Sequence, residues 1–176
     1  MTTDSVAVHP PETFFARRRW LALASLILLL VAGLGLRLID FTDPPLDVHA
    51  WRQLRSASIA RGMYYDMLPD ADPAVRQQAH YLGVTFQVLE PPILERLTAY
   101  AYLLTGGEKL WMARLFSVLF WMIGGLALFD LTRRMTSWDG GLVALAFYLF
   151  LPFANTHSRT FMPEPLLIMT LLLAVW

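Results

Sequence analysis

Four apolar runs, separated by polar stretches of very unequal length, set the pattern of this chain. Residues 20–39 are almost unbroken hydrophobic and match the roughly 20 residues needed to cross a bilayer. Arg17, Arg18 and Arg19 stand directly before the run, and Arg37 and Asp40 close it. A basic flank with an apolar core also fits a signal peptide, but no small-residue cleavage site follows, so the run predicts a retained transmembrane helix. Residues 111–132 predict a second span, with Arg133 and Arg134 beyond its end. Gly140 and Gly141 open a third, over 142–157. Residues 165–176 begin a fourth that is too short to cross and has no polar flank, so the chain is expected to be cut off inside a helix. Basic residues favour the cytoplasmic side. Residues 1–19 therefore read as a cytoplasmic lead and 40–110 as an extracytoplasmic loop.

That loop has a pattern of its own. Pro44 and Pro45 bar continuation of the first helix, and residues 46–62 predict a new one lying near the membrane surface. Asp47 fits its N-cap, with Leu46 and Trp51 at the positions of a hydrophobic staple. Residues 67–78 are polar and read as an outer loop, and 81–89 as a mixed aromatic and aliphatic segment. Glu90-Pro91-Pro92 then opens a helix in which Ile93, Leu94, Leu97, Tyr100, Ala101 and Leu104 recur at helical spacing until Gly106-Gly107. Glu95 and Arg96 within it suit an amphipathic juxtamembrane helix better than a span. The expected fold class is all-α: polytopic membrane helices with extracytoplasmic juxtamembrane helices.

Composition agrees with a membrane protein. The chain is 56% hydrophobic with a mean hydropathy of +0.48, too apolar for an ordinary soluble domain of 176 residues. A formal net charge of zero argues against a nucleic-acid partner, which would need a clustered basic excess. With no cysteine, disulfides and thiolate metal sites are ruled out. No glycine-rich nucleotide loop, nucleophilic triad order or HExxH pattern is present, so no cofactor is expected.

The charges that remain gather on one predicted face of the membrane: Asp47, His49, Arg52, Arg55, Glu90, Arg159 and Glu164. Acids and cations at a bilayer boundary are costly unless they bind or transform something. Asp47 has two readings at this point, a helix cap and a general base that takes a proton from an acceptor. Arg52 and Arg55, one turn apart on one helical face, suit a phosphate or pyrophosphate, and equally a solvated face at the lipid headgroups. Glu90 is either a charge at a helix N-terminus or a member of the same site. His49 finds no second ligand at a convincing metal spacing apart from Asp47 itself, so no metal site is predicted. Arg37 either snorkels to the interface or awaits a lipid phosphate.

The passages PPLDVHAWRQ, SIARGM, LEPPILERLTAYAYLLTG, ARLFSVLF and RTFMPEP, in that order behind a basic-flanked first helix, resemble the N-terminal part of the polytopic GT-C glycosyltransferases. Within these, the dolichyl-phosphate-mannose protein mannosyltransferase superfamily and the bacterial lipid A aminoarabinose transferase are more similar. The resemblance runs over residues 17–176 and covers only the start of such an enzyme. It implies inverting transfer of a sugar from a polyprenyl-phosphate donor to an acceptor on the extracytoplasmic face, with the essential acid in the first outer loop. Relatives often place an Asp-Glu pair there. An ungapped match through residues 59–63 puts Arg52 and Gln53 at that pair, and the nearest carboxylate is Asp47, five positions before Arg52. A Glu-Lys-Pro-Pro passage of the aminoarabinose transferase reads Leu89-Glu90-Pro91-Pro92 here, keeping the acid and losing the lysine. Glu164 stands where relatives often carry an acid at the mouth of the fourth helix.

The resemblance thus assigns Asp47 as base, Arg52, Arg55 and Arg159 as cations for the donor phosphate, and His49, Glu90 and Glu164 as supporting or acceptor-binding groups. Membrane lipid and a polyprenyl-phosphate-linked sugar are the expected partners, in the cell membrane, with the oligomeric state and any divalent metal left open. Two rival readings stand beside it: a polytopic transporter or scaffold fragment whose outer charges anchor helices at headgroups, and a truncated, inactive glycosyltransferase.

Overall fold

The computed structural model describes residues 13–15, 18–86 and 90–176; the polar lead over 1–12, Arg17 and Leu89 lie outside them. The described residues form eight helices and no strand. The helices are α1 (Arg19–Arg37), α2 (Ala50–Asp66), α3 (Pro73–Thr85), α4 (Ile93–Thr105), α5 (Trp111–Met135), α6 (Trp138–Phe150), α7 (Pro152–His157) and α8 (Glu164–Val175).

Two of them, α1 and α5, are long and apolar enough to cross a membrane; α6 and α8 are apolar but shorter. In α1 only Ala22, Gly33 and Arg37 are buried. A helix so apolar and so little covered would be unstable against water, and its outward leucines suit a lipid solvent. The long helix α5 packs against α6 and α8, and α1 packs on α6. Around Trp121, Phe129, Leu142, Leu145 and Leu149 these helices make one core. A second core, with Tyr64, Leu94, Tyr102, Met112 and Phe161, joins α2 and α4 to the beginning of α5. The chain is therefore an apolar bundle with a helical layer over one end.

That layer departs from its expected outline. Residues 67–78 do not remain a loop: α3 begins at Pro73, where the Asp72 carboxylate accepts from the amides of Ala74 (2.8 Å) and Val75 (3.3 Å). An N-cap aspartate followed by proline is a strong helix start. α3 lies against α2 because Gly62 and Gly83 meet backbone to backbone, a Cβ on Gly62 falling 3.3 Å from the Gly83 Cα. At α4 the expected stop holds, with Gly106 in the left-handed region at φ 69° and the Gly107 amide returning to the Tyr102 carbonyl at 3.0 Å.

The segment expected as a single third span divides. Pro152 has no amide to donate and its predecessor Leu151 turns extended, with ψ 129°, so α6 ends and the short α7 begins. Arg37 neither snorkels nor waits at the interface. It is wholly buried and donates to the Leu149 carbonyl freed at the end of α6 (3.1 Å), to Ser158 Oγ (2.6 Å) and to the Gly33 carbonyl (2.7 Å). This arginine closes the gap that the proline opens.

Candidate functional site

The candidate site is assembled where the loop between α1 and α2 meets the turn between α7 and α8. No regular structure holds that loop; Arg114, one turn into α5, does. Its guanidinium, 3% exposed, donates to the carbonyls of Asp40 (3.1 Å), Phe41 (3.2 Å) and Pro44 (3.3 Å). A guanidinium carries five donors in a rigid fork and no acceptor, so it can gather several carbonyls at once. The loop then enters α2 through His49, which is left-handed at φ 48° and ψ 49°.

His49, not Asp47, is therefore the N-cap residue of α2, and its side chain caps nothing. The helix starts two residues later than an Asp47 cap would require. The staple fails with it, because Leu46 and Trp51 both point outward and Trp51 instead packs edge-on against Phe86, 5.3 Å between centroids. Asp47 is held by Gln53. The Gln53 amide nitrogen donates to Asp47 Oδ1 (2.9 Å) and to the Val48 carbonyl (2.6 Å), while its oxygen accepts from the Phe161 amide (3.0 Å). Gln53 is fully buried and ties three segments together.

Two cations face the Asp47 carboxylate without gripping it: Arg114 at 3.9 Å and Arg159 at 3.8 Å. Partial burial pushes the Asp47 pKa up, but the Gln53 hydrogen bond, backbone donors and Arg114 outweigh it and hold the carboxyl below the ordinary value. Asp47 is thus ionised and half turned to solvent. Arg159 donates to the Ile39 carbonyl at 2.6 Å, and its Nε is buried with no partner. The His49 ring lies 5.8 Å from that of His157, which stacks on Phe153.

The other predicted residues gather on the first turns of α2. Arg52 pairs with Glu164 and, at 3.4 Å, with Glu90; Arg55 pairs with Glu90 at 3.2 Å. The expected set thus divides into an Asp47–Arg159 pair with His49 beside it, and an Arg52–Arg55–Glu90–Glu164 network. Adjacent residues 52 and 53 on α2 join the two. Glu90 and Glu164 sit at one end of a groove of about 410 Å³ that continues along Ile93, Leu166, Leu167 and Thr170. One oxygen of Glu164 is buried there without a hydrogen-bond partner. Among the described residues no three of His, Asp and Glu come together as metal ligands.

Sequence reasoning missed the two residues that shape the site. Arg114 stood in view as a charge inside an apolar helix, a signal in itself. Gln53 carries no chemistry of its own, and nothing in the sequence marks it.

Residues 90–176 match the dolichyl-phosphate-mannose-protein mannosyltransferase family. The resemblance seen in the order of motifs therefore holds over this half of the chain, and the all-α architecture agrees with it. The family is one of membrane glycosyltransferases. The matched part takes in Glu90, Arg114, Arg159 and Glu164, whereas Asp47, His49, Arg52 and Arg55 precede it. No curated protein and no solved structure matches the chain.

Proposed function

We propose that this chain is the part of a membrane glycosyltransferase that holds the base and the donor-phosphate cations, on the extracytoplasmic side. The observation that carries the reading is convergence. Asp47 and Arg159, and Arg52 and Glu164, come together from positions 112 residues apart, the second pair at the head of an apolar groove, in a chain whose second half matches a glycosyltransferase family.

In the proposed reaction Asp47 accepts the proton of an acceptor hydroxyl or amine. The acceptor atom bonds to the anomeric carbon as the bond from that carbon to the phosphate oxygen breaks, inverting the centre. The pair of electrons leaves with the polyprenyl phosphate, whose charge is met by Arg52, Arg55 and Arg159. The polyprenyl tail lies in the groove between α4 and α8, with its phosphate at the Arg52 and Arg55 guanidiniums beside Glu90 and Glu164. Arg52 is paired with both Glu90 and Glu164, but its pairs are a third or more exposed on the side of Arg52 and Glu90. Such pairs contribute about 0–1 kcal/mol each, so a phosphate can displace them.

No resident cofactor enters this scheme; the polyprenyl-phosphate sugar is a co-substrate. Replacing Asp47→Asn is expected to abolish sugar transfer at unchanged protein level. A transporter or scaffold would neither consume a polyprenyl-phosphate sugar nor depend on this carboxylate.

A further inference from the structure

At the end of the bundle remote from Asp47, α1, α5 and α8 border a second groove, of about 380 Å³. Leu26, Ile123, Leu126 and Leu173 line it, and Asp130 and the Trp176 indole close it. The indole donates to Asp130 Oδ2 at 2.9 Å, and the same carboxylate receives both Arg133 and Arg134. The Arg133 guanidinium lies over the Trp138 ring, 4.9 Å from its centroid, and that of Arg134 over Trp176, at 5.2 Å.

Two guanidiniums thus share one carboxylate. The neighbouring acid, Asp139, is engaged by the amides of Phe14 (2.9 Å) and Phe15 (3.1 Å), and Arg18 lies over the Phe14 ring. Arg19 begins α1 on the same side. Among the described residues this end carries a cationic surplus directly beside an apolar cleft. Arg133 keeps a buried Nε without a partner, and Arg134 is more than half exposed.

We infer that this is a binding site for an anionic phospholipid, with an acyl chain along Leu126 and Leu173 and the headgroup phosphate on Arg133 and Arg134. A basic rim alone would attract any polyanion, and an apolar cleft alone any chain. Their junction at the level where helices leave the bilayer selects a molecule with both, and tryptophans over the cations match an interfacial position. This inference does not depend on the assignment of Asp47.

The test is native mass spectrometry of the detergent-solubilised full chain with phosphatidylglycerol or phosphatidylcholine of identical acyl chains. The expected result is selective retention of phosphatidylglycerol. Arg133→Gln with Arg134→Gln should lower it roughly thirtyfold, given the contribution of each of the two basic residues near an anionic headgroup. Leu126→Trp fills the cleft and leaves both arginines in place, so it should lower retention too and keeps the test independent of the Asp130 ion pairs. Equal retention of the two lipids, as when another protein segment covers the groove, would overturn the site. So would phosphatidylglycerol binding indifferent to Leu126→Trp, which would leave a surface charge effect only.

Discussion

Asp47 is an acid whose ionisation is arranged by a neighbour. Burial alone would push its carboxyl up, but hydrogen bonds from the Gln53 amide and the Val48 backbone, with Arg114 beside it, outweigh that cost and hold it below the ordinary carboxylate value. A general base must be deprotonated, so kcat/KM falls as pH drops through its pKa. The acid limb of sugar transfer is therefore expected below the ordinary carboxylate value. In Gln53→Leu the donor is lost, the Asp47 pKa rises and the acid limb moves to higher pH; an unmoved limb would separate Asp47 from the titrating group. The same substitution strands the Phe161 amide and the Val48 carbonyl, which should cost about 1–3 kcal/mol for each group left unsatisfied. The loop acid and the arginines were legible in the sequence as residues, while the Gln53 link was not. A capping role for Asp47 rested on local spacing alone, and a buried glutamine six residues on claimed the carboxylate instead.

At the scale of elements, the site depends on side chains that finish broken backbone. Arg114 supplies the donors that the 40–44 loop lacks, and Arg37 does the same at the α6–α7 break. Arg114→Met should leave the Asp40, Phe41 and Pro44 carbonyls without their donor, lower thermal stability measurably, and remove transfer with it. Asp47→Asn keeps an acceptor for Gln53 and should leave the melting temperature nearly unchanged, so comparing the two melts separates positioning from chemistry. Between α2 and α3 the Gly62–Gly83 approach leaves no room: a Cβ on Gly62 would stand 3.1 Å from the Ala79 carbonyl oxygen. Gly62→Val is expected to push α3 away at about 1–3 kcal/mol, seen as faster proteolytic cleavage in the 67–72 connection. Hydropathy and the terminal glycines made α1, α4 and α5 readable in advance. α3 was not, because its start signal, Asp72-Pro73, sits in a polar stretch with little helical periodicity.

For the whole molecule, the proposed reaction needs the two charged ends to lie on opposite sides of a membrane. The chain has no cysteine, so single cysteines report cleanly. A membrane-impermeant maleimide should label a cysteine at Asp43 from outside the cell and one at Thr136 only after the membrane is opened. The apolar spans and their basic flanks set this expectation from sequence. The separation of the charged residues into Asp47 with its flanking arginines and a paired network above a groove was not legible in the sequence, because it depends on contacts such as Asp47–Arg159 and Arg52–Glu164, each 112 positions apart. The most direct test of the central claim is transfer of labelled sugar from a polyprenyl-phosphate donor in membranes bearing equal amounts of the wild-type protein or Asp47→Asn. Donor-dependent transfer by the first and background transfer by the second is the predicted result; equal transfer by both, with the donor required, would remove Asp47 from the reaction, and no donor-dependent transfer by the wild type would contradict the assignment of this chain to glycosyl transfer.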